Sequence, residues 1–239
     1  MRLFPTTIFQ FVGDYDELTV LRRVSKHFRT TINKSCVTEL FMDENNGYVL
    51  WACAKFLRNL ECPYAGLQTL PPLPQVRELW CTENALQELP DLPQVTNLLC
   101  GRNKLHKLPL LPRVVSLYCE DNYLRELPDL PQVVVLECTD NLLRQLPALP
   151  KVVDLMCSDN QLQELPALPH VRELYCAGNQ IRELPALPQV VKLWCKDNQL
   201  QELPALPKIE YLSCSQLPEV PLPFPTFQPD TSVCMVFHL

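Results

Sequence analysis

The nineteen residues Val152-Val153-Asp154-Leu155-Met156-Cys157-Ser158-Asp159-Asn160-Gln161-Leu162-Gln163-Glu164-Leu165-Pro166-Ala167-Leu168-Pro169-His170 decide the fold, because the chain begins the same pattern again at Val171. Followed in both directions, Cys157 becomes a column: Cys62, Cys81, Cys100, Cys119, Cys138, Cys157, Cys176, Cys195 and Cys214, each 19 residues from the next. A fixed period near 20 residues marks a solenoid, in which each unit is one supersecondary element that buries its apolar face only against its neighbours.

Within a unit, Leu79 and Cys81 alternate with outward positions, as a short strand requires. Each strand is expected to pair in parallel with that of the next unit at about 4.8 Å. Pro90 and Pro93 forbid a helix on the return path and favour an extended left-handed segment. Such a segment is thin, so the array is expected to curve only shallowly. Inward positions hardly vary between units, as Val114, Leu117, Cys119, Leu124, Leu127 and Leu130 illustrate for one of them. Burying each larger side chain contributes roughly 1.5–3 kcal/mol before entropy is subtracted. The cysteines invite a metal or redox reading. Equal parallel spacing on a packed interior, however, lacks the converging geometry of a zinc site and suits disulfides poorly. They are expected to serve as small buried hydrophobes.

The half-unit Val-x-x-Leu-x-Cys-x-x-Asn-x-Leu resembles the leucine-rich repeat, whose pattern is Leu-x-x-Leu-x-Leu-x-x-Asn/Cys-x-Leu. The other half, Leu-Pro-x-Leu-Pro, resembles the short units of bacterial effectors. The resemblance implies an α/β repeat solenoid with a parallel sheet on its concave face and extended segments on its convex face. It also implies that the amides of Asn84, Asn103, Asn122, Asn141, Asn160, Asn179 and Asn198 satisfy backbone groups of their own and the neighbouring turn. These asparagines are structural, not catalytic.

The totals set the class. A formal charge of -6 and a pI near 5.3 give no general attraction to nucleic acid or to an anionic membrane. With 24 Pro against 5 Gly, the chain favours stiff extended segments over flexible linkers. Nine of its 12 Cys occupy one apolar column, which points to reduced thiols and an intracellular, cytoplasmic setting. The start, Met1 to Ile8, lacks the apolar run and cleavage site of a signal peptide, and no stretch is long enough to span a bilayer. His27, His106, His170 and His238 are scattered, and phosphate-loop and metal-ligand spacings are absent from the sequence. The expectation is a non-enzyme without cofactor.

Residues 1–36 differ in kind. Phe4-Pro5, Ile8, Phe11-Val12, Glu17-Leu18, Leu21 and Val24-Ser25-Lys26-His27-Phe28 have helical apolar spacing. In that order they resemble the F-box, whose pattern runs Leu-Pro, Ile, two apolar residues, Asp-Leu, Leu, then Val-Cys-Lys-x-Trp. The departures are Phe4, Glu17, Ser25 and Phe28, each roughly preserving size or charge. The resemblance implies that Pro5, Ile8, Leu18, Leu21 and Val24 dock the adaptor of a cullin-type ubiquitin ligase. A similar pairing of an F-box leader with short Cys-containing repeats is seen in proteins of large DNA viruses of amoebae, which would place the chain in a host cytoplasm. The plainer reading is a helical cap on the first repeat.

Residues 37–56 form a bridging unit, with Val37, Leu40, Met42 and Asn45 in the repeat frame and a helix expected over 48–56. The solenoid proper is expected over 57–216. A C-terminal cap, possibly including an edge strand, is expected over 217–239.

With the interior fixed, information lies in the outward strand positions. The residue before each Cys runs Glu61, Trp80, Leu99, Tyr118, Glu137, Met156, Tyr175, Trp194 and Ser213. Solvation does not favour a row of exposed bulky side chains, and Trp, Tyr and Met are typical interface anchors. Glu83, Asp121, Asp140, Asp159 and Asp197 form an acidic row towards the strand ends, broken by Arg102 and Gly178. Trp80, Leu99, Tyr118, Met156, Tyr175 and Trp194 are therefore expected to bind a protein segment of apolar and basic character. The competing expectation is that the aromatic residues only stiffen the sheet.

Overall fold

A computed structural model describes residues 39–41, 54 and 57–215. Ten three-residue strands follow one another: β1 (Glu39–Phe41), β2 (Asn59–Glu61), β3 (Glu78–Trp80), β4 (Asn97–Leu99), β5 (Ser116–Tyr118), β6 (Val135–Glu137), β7 (Asp154–Met156), β8 (Glu173–Tyr175), β9 (Lys192–Trp194) and β10 (Tyr211–Ser213). They form one parallel sheet in sequence order. The sequence period sets the register, so Leu117 lies opposite Leu136 and Tyr118 opposite Glu137. In the bridging unit Leu40 lies opposite Leu60, as its place in the repeat frame requires.

Each strand buries its central Leu completely and leaves its first and third residues partly or wholly exposed from β3 to β9. The ladder runs past the strand ends. Cys81 N donates to Leu99 O at 2.7 Å and Glu83 N to Gly101 O at 3.1 Å. On the return path Leu89 and Leu92 turn inward while the intervening residues form no regular secondary structure. Proline suits this path because it has no N–H to leave unpaired. A turn then closes the unit, with Val95 N donating to Leu92 O at 3.3 Å and Pro93 in the second position, where its fixed φ is favoured. The repeat portion thus contains strands, turns and irregular segments, and α-helix is absent among the described residues. The expected helical module of residues 1–36, nearly all of the 48–56 helix and the cap of 217–239 lie outside the described residues.

Asparagine supplies the polar skeleton. Asn141 Nδ2 donates to Cys119 O at 3.0 Å, Cys138 O at 3.2 Å and Thr139 O at 3.2 Å, while its Oδ1 accepts from Leu124 N at 3.0 Å. The same four bonds recur at Asn103, Asn122, Asn160 and Asn179, tying each unit to the one before it. These amides therefore take the role that the repeat resemblance implies for them.

One reading changes. Glu83, Arg102, Asp121, Asp140, Asp159 and Asp197 all have left-handed backbone, with φ between 51° and 54°, and Gly178 stands in the same column at 64°. Asp and Gly adopt this region more readily than bulkier residues. Part of the acidic row is thus selected by backbone geometry, not by a ligand.

The cysteines point inward. Cys62 to Cys195 are buried and unpaired, and Cys214 is half-buried. Burial pushes the Cys62 thiol up to about 12, and the thiols further in are raised as well, again first by burial. Among the described residues, no cluster of His, Cys, Asp or Glu has the arrangement of a metal site, and no helix is long and apolar enough to cross a membrane.

Candidate partner-binding face

The first and third residues of β2 to β9, and the residue after each of their cysteines, make one broad face of the sheet. The pairing register sets Trp80, Leu99, Tyr118, Glu137, Met156, Tyr175 and Trp194 side by side in a single line crossing β3 to β9. All six partner-binding residues expected from sequence are in that line. Trp80 is 39% exposed and the other five are half-buried. The residues expected to dock an adaptor, Pro5, Ile8, Leu18, Leu21 and Val24, lie outside the described residues.

Aromatic rings gather at the C-terminal end of the line. Tyr175 stacks on Trp194 with centroids 4.4 Å apart and planes 8° from parallel. Trp194 in turn faces Tyr211 at 6.4 Å. A stacked pair of this kind is worth about 0.5–1.5 kcal/mol beyond its buried area. Beside it, Lys192 Nζ lies 2.9 Å from Glu173 Oε1 and 6.0 Å from the centre of the Tyr211 ring. The Tyr175 hydroxyl donates to Glu173 Oε2 at 3.2 Å. Both expected roles of the aromatic residues are therefore compatible with the geometry, since the rings brace one another and still stay partly exposed.

Sequence reasoning passed over the column after the cysteines. There Glu120 reaches back over Gly101, and a β-carbon on Gly101 would stand 2.0 Å from Glu120 Oε1. Glu120 Oε2 is buried and accepts no hydrogen bond. Its carboxyl is held above the usual carboxylate range by burial first and then by Glu137. Asp154 is raised too, by burial and then by Glu173. The signal available in the sequence was a Gly one period before a Glu, which the Cys spacing places on adjacent strands.

No protein-family model and no curated protein matches the chain. Solved structures do. YopM, a leucine-rich effector protein from Yersinia pestis, is 28% identical, with a TM-score of 0.65 over 87% of this chain and 63% of its own. The chain therefore spans less than two thirds of that protein. A Shigella effector leucine-rich-repeat domain is 29% identical, with a TM-score of 0.60 over 78% of this chain and 86% of its own. A chain of the Toll–Spätzle complex from Drosophila is 20% identical at a TM-score of 0.50, covering 69% of this chain and 27% of its own, a likeness of fold alone. Backbone, repeat and neighbours agree that this is a parallel β-sheet solenoid of the leucine-rich-repeat type.

Proposed function

We propose that this chain is a protein-interaction subunit and that the open face of its sheet holds a protein target. The observation that carries the reading is the line from Trp80 to Trp194, in which large apolar side chains stay partly exposed while the central Leu of each strand from β2 to β10 is buried. Aromatic and Met side chains of this kind anchor protein interfaces. Likeness to two leucine-rich-repeat effector structures supports an interaction scaffold, and such a scaffold acts by holding its partner, without chemistry of its own.

The fuller reading is an F-box-type recruiting subunit of a cullin-type ubiquitin ligase. It rests on the sequence resemblance of residues 4–28. In it Pro5, Ile8, Leu18, Leu21 and Val24 bind the adaptor, and the solenoid carries the target into range. The other reading of the same helical spacing is a cap with no ubiquitin role. Affinity capture from the natural host cell separates them. The recruiting reading expects the adaptor to co-purify and Leu21→Asp to remove it. A wild-type chain that never retains the adaptor leaves an interaction scaffold alone. Replacing both Tyr175 and Trp194 by Ala is expected to abolish target capture with the fold intact by circular dichroism. A stack that serves only to stiffen the sheet would instead lower stability and leave capture unchanged.

A further inference from the structure

The sheet face is not evenly charged. Across β2 to β8, its outward positions hold Glu61, Glu78, Glu120, Glu137, Asp154 and Glu173 and not one Lys or Arg. The sign changes only at Lys192 and Lys196. Within the apolar line, Glu137 is the single charged member between Trp80 and Trp194. It separates Trp80, Leu99 and Tyr118 from Met156, Tyr175 and Trp194.

Resting on the partner-binding reading above, we infer that the segment held by this face is an extended stretch in the polyproline II conformation that crosses the strands, with a Lys or Arg at its centre and an apolar side chain three residues away on each side. The spacing comes from two repeats of different length. Two strand steps separate Glu137 from Leu99, and two separate it from Tyr175. At about 4.8 Å per step that is about 10 Å, close to one turn of a polyproline II chain, three residues at about 3.1 Å each, which brings every third side chain back to the same side. The line of apolar side chains runs across the strands, so a segment that follows it does the same.

The centre favours a cation for two further reasons. Glu120 stands just past the end of β5, the strand before Glu137's, and Asp154 opens β7, the strand after it, one column to either side, so three carboxylates share the middle of the face. Glu137 and Glu120 repel each other, Arg102 offsets this only in part, so that the Glu120 carboxyl stays raised, and the buried Glu120 Oε2 has no hydrogen-bond partner. A guanidinium or ammonium over Glu137 relieves that repulsion, whereas an acidic segment adds to it.

The test uses the full chain and fluorescein-labelled peptides of sequence Ser-Leu-Ser-Ser-Arg-Ser-Ser-Phe-Ser, with Gln or Glu in place of the Arg in two companions, read by fluorescence anisotropy at about 50 mM salt. The Arg peptide is expected to bind about tenfold tighter than the Gln peptide and to weaken with added salt, while the Glu peptide binds weakest. Glu137→Lys is expected to reverse the order of the Arg and Glu peptides. Equal binding of all three that is lost when Tyr175 and Trp194 are both Ala overturns the charge assignment and leaves the docking face standing. Binding that survives that double change overturns the docking reading itself. Absence of binding by any peptide overturns the inferred motif. Binding that requires added calcium and is removed by EDTA overturns it too, assigning the carboxylates to a metal.

Discussion

Asn141 makes four hydrogen bonds that join its own turn to that of the preceding unit. Replacing it by Ala leaves the Leu124 amide unpaired and takes one of two donors from each of Cys119 O, Cys138 O and Thr139 O at a buried site. Urea denaturation is expected to show a loss on the order of 1–3 kcal/mol or more. Asn141→Asp is expected to be worse than Ala, because it turns two donors into an oxygen facing carbonyl oxygens. Glu120 carries the opposite kind of cost. Its carboxyl is raised, so the folded chain holds the proton more tightly than the unfolded chain does. Stability from this group is therefore full below the ordinary value of 4.5 and is lost as pH rises through the raised folded value. Glu120→Gln is accordingly expected to stabilise the protein at neutral pH, by less than about 1 kcal/mol because the carboxyl is half exposed and screened. That gain should fade as melting is repeated towards pH 4.5. The asparagines were legible from the repeat pattern. The left-handed column was not, because an Asp chosen for its backbone and an Asp chosen for its charge are the same letter in a sequence.

At the scale of the unit, strand positions were legible because a period of 19 residues and strict alternation leave one assignment of inside and outside. The prolines ruled out helix on the return path for a reason that needs no tertiary context. What alternation alone leaves out is contact between units. Glu120 and Gly101 are 19 residues apart and touch only because β4 and β5 are neighbours. The same stacking buries the thiols, and burial raises Cys119 and Cys138 well above the ordinary thiol value. Since the thiolate is the reactive form, brief treatment with iodoacetamide followed by mass-spectrometric mapping is expected to find Cys214 labelled and Cys81 through Cys176 unlabelled until denaturant is added. Labelling of native Cys119 would mean that the column opens far more readily than its packing implies.

Over the whole molecule, the interior repeats and the outward face does not. Toward the last described unit the core thins: Leu200, Leu203, Leu206 and Ile209 are only partly buried where their equivalents one to six units earlier are mostly enclosed. The parallel order of ten strands then follows from the fixed interval, and the character of the face follows from what each unit places beside its cysteine. Fold and face could both be read from sequence because one period governs them. The stack of Tyr175 on Trp194 could be anticipated as adjacency but not as a near-parallel contact at 4.4 Å, which depends on side-chain torsions that the period does not set. The central claim is that recognition belongs to the sheet face and not to the proline-rich side, where Leu110 is 79% exposed. Photo-crosslinking in the natural host cell addresses it directly, with p-benzoylphenylalanine placed at position 156 in one variant and at position 110 in another. The account predicts that the captured target crosslinks from position 156 and not from 110, and crosslinks from 110 alone would contradict it.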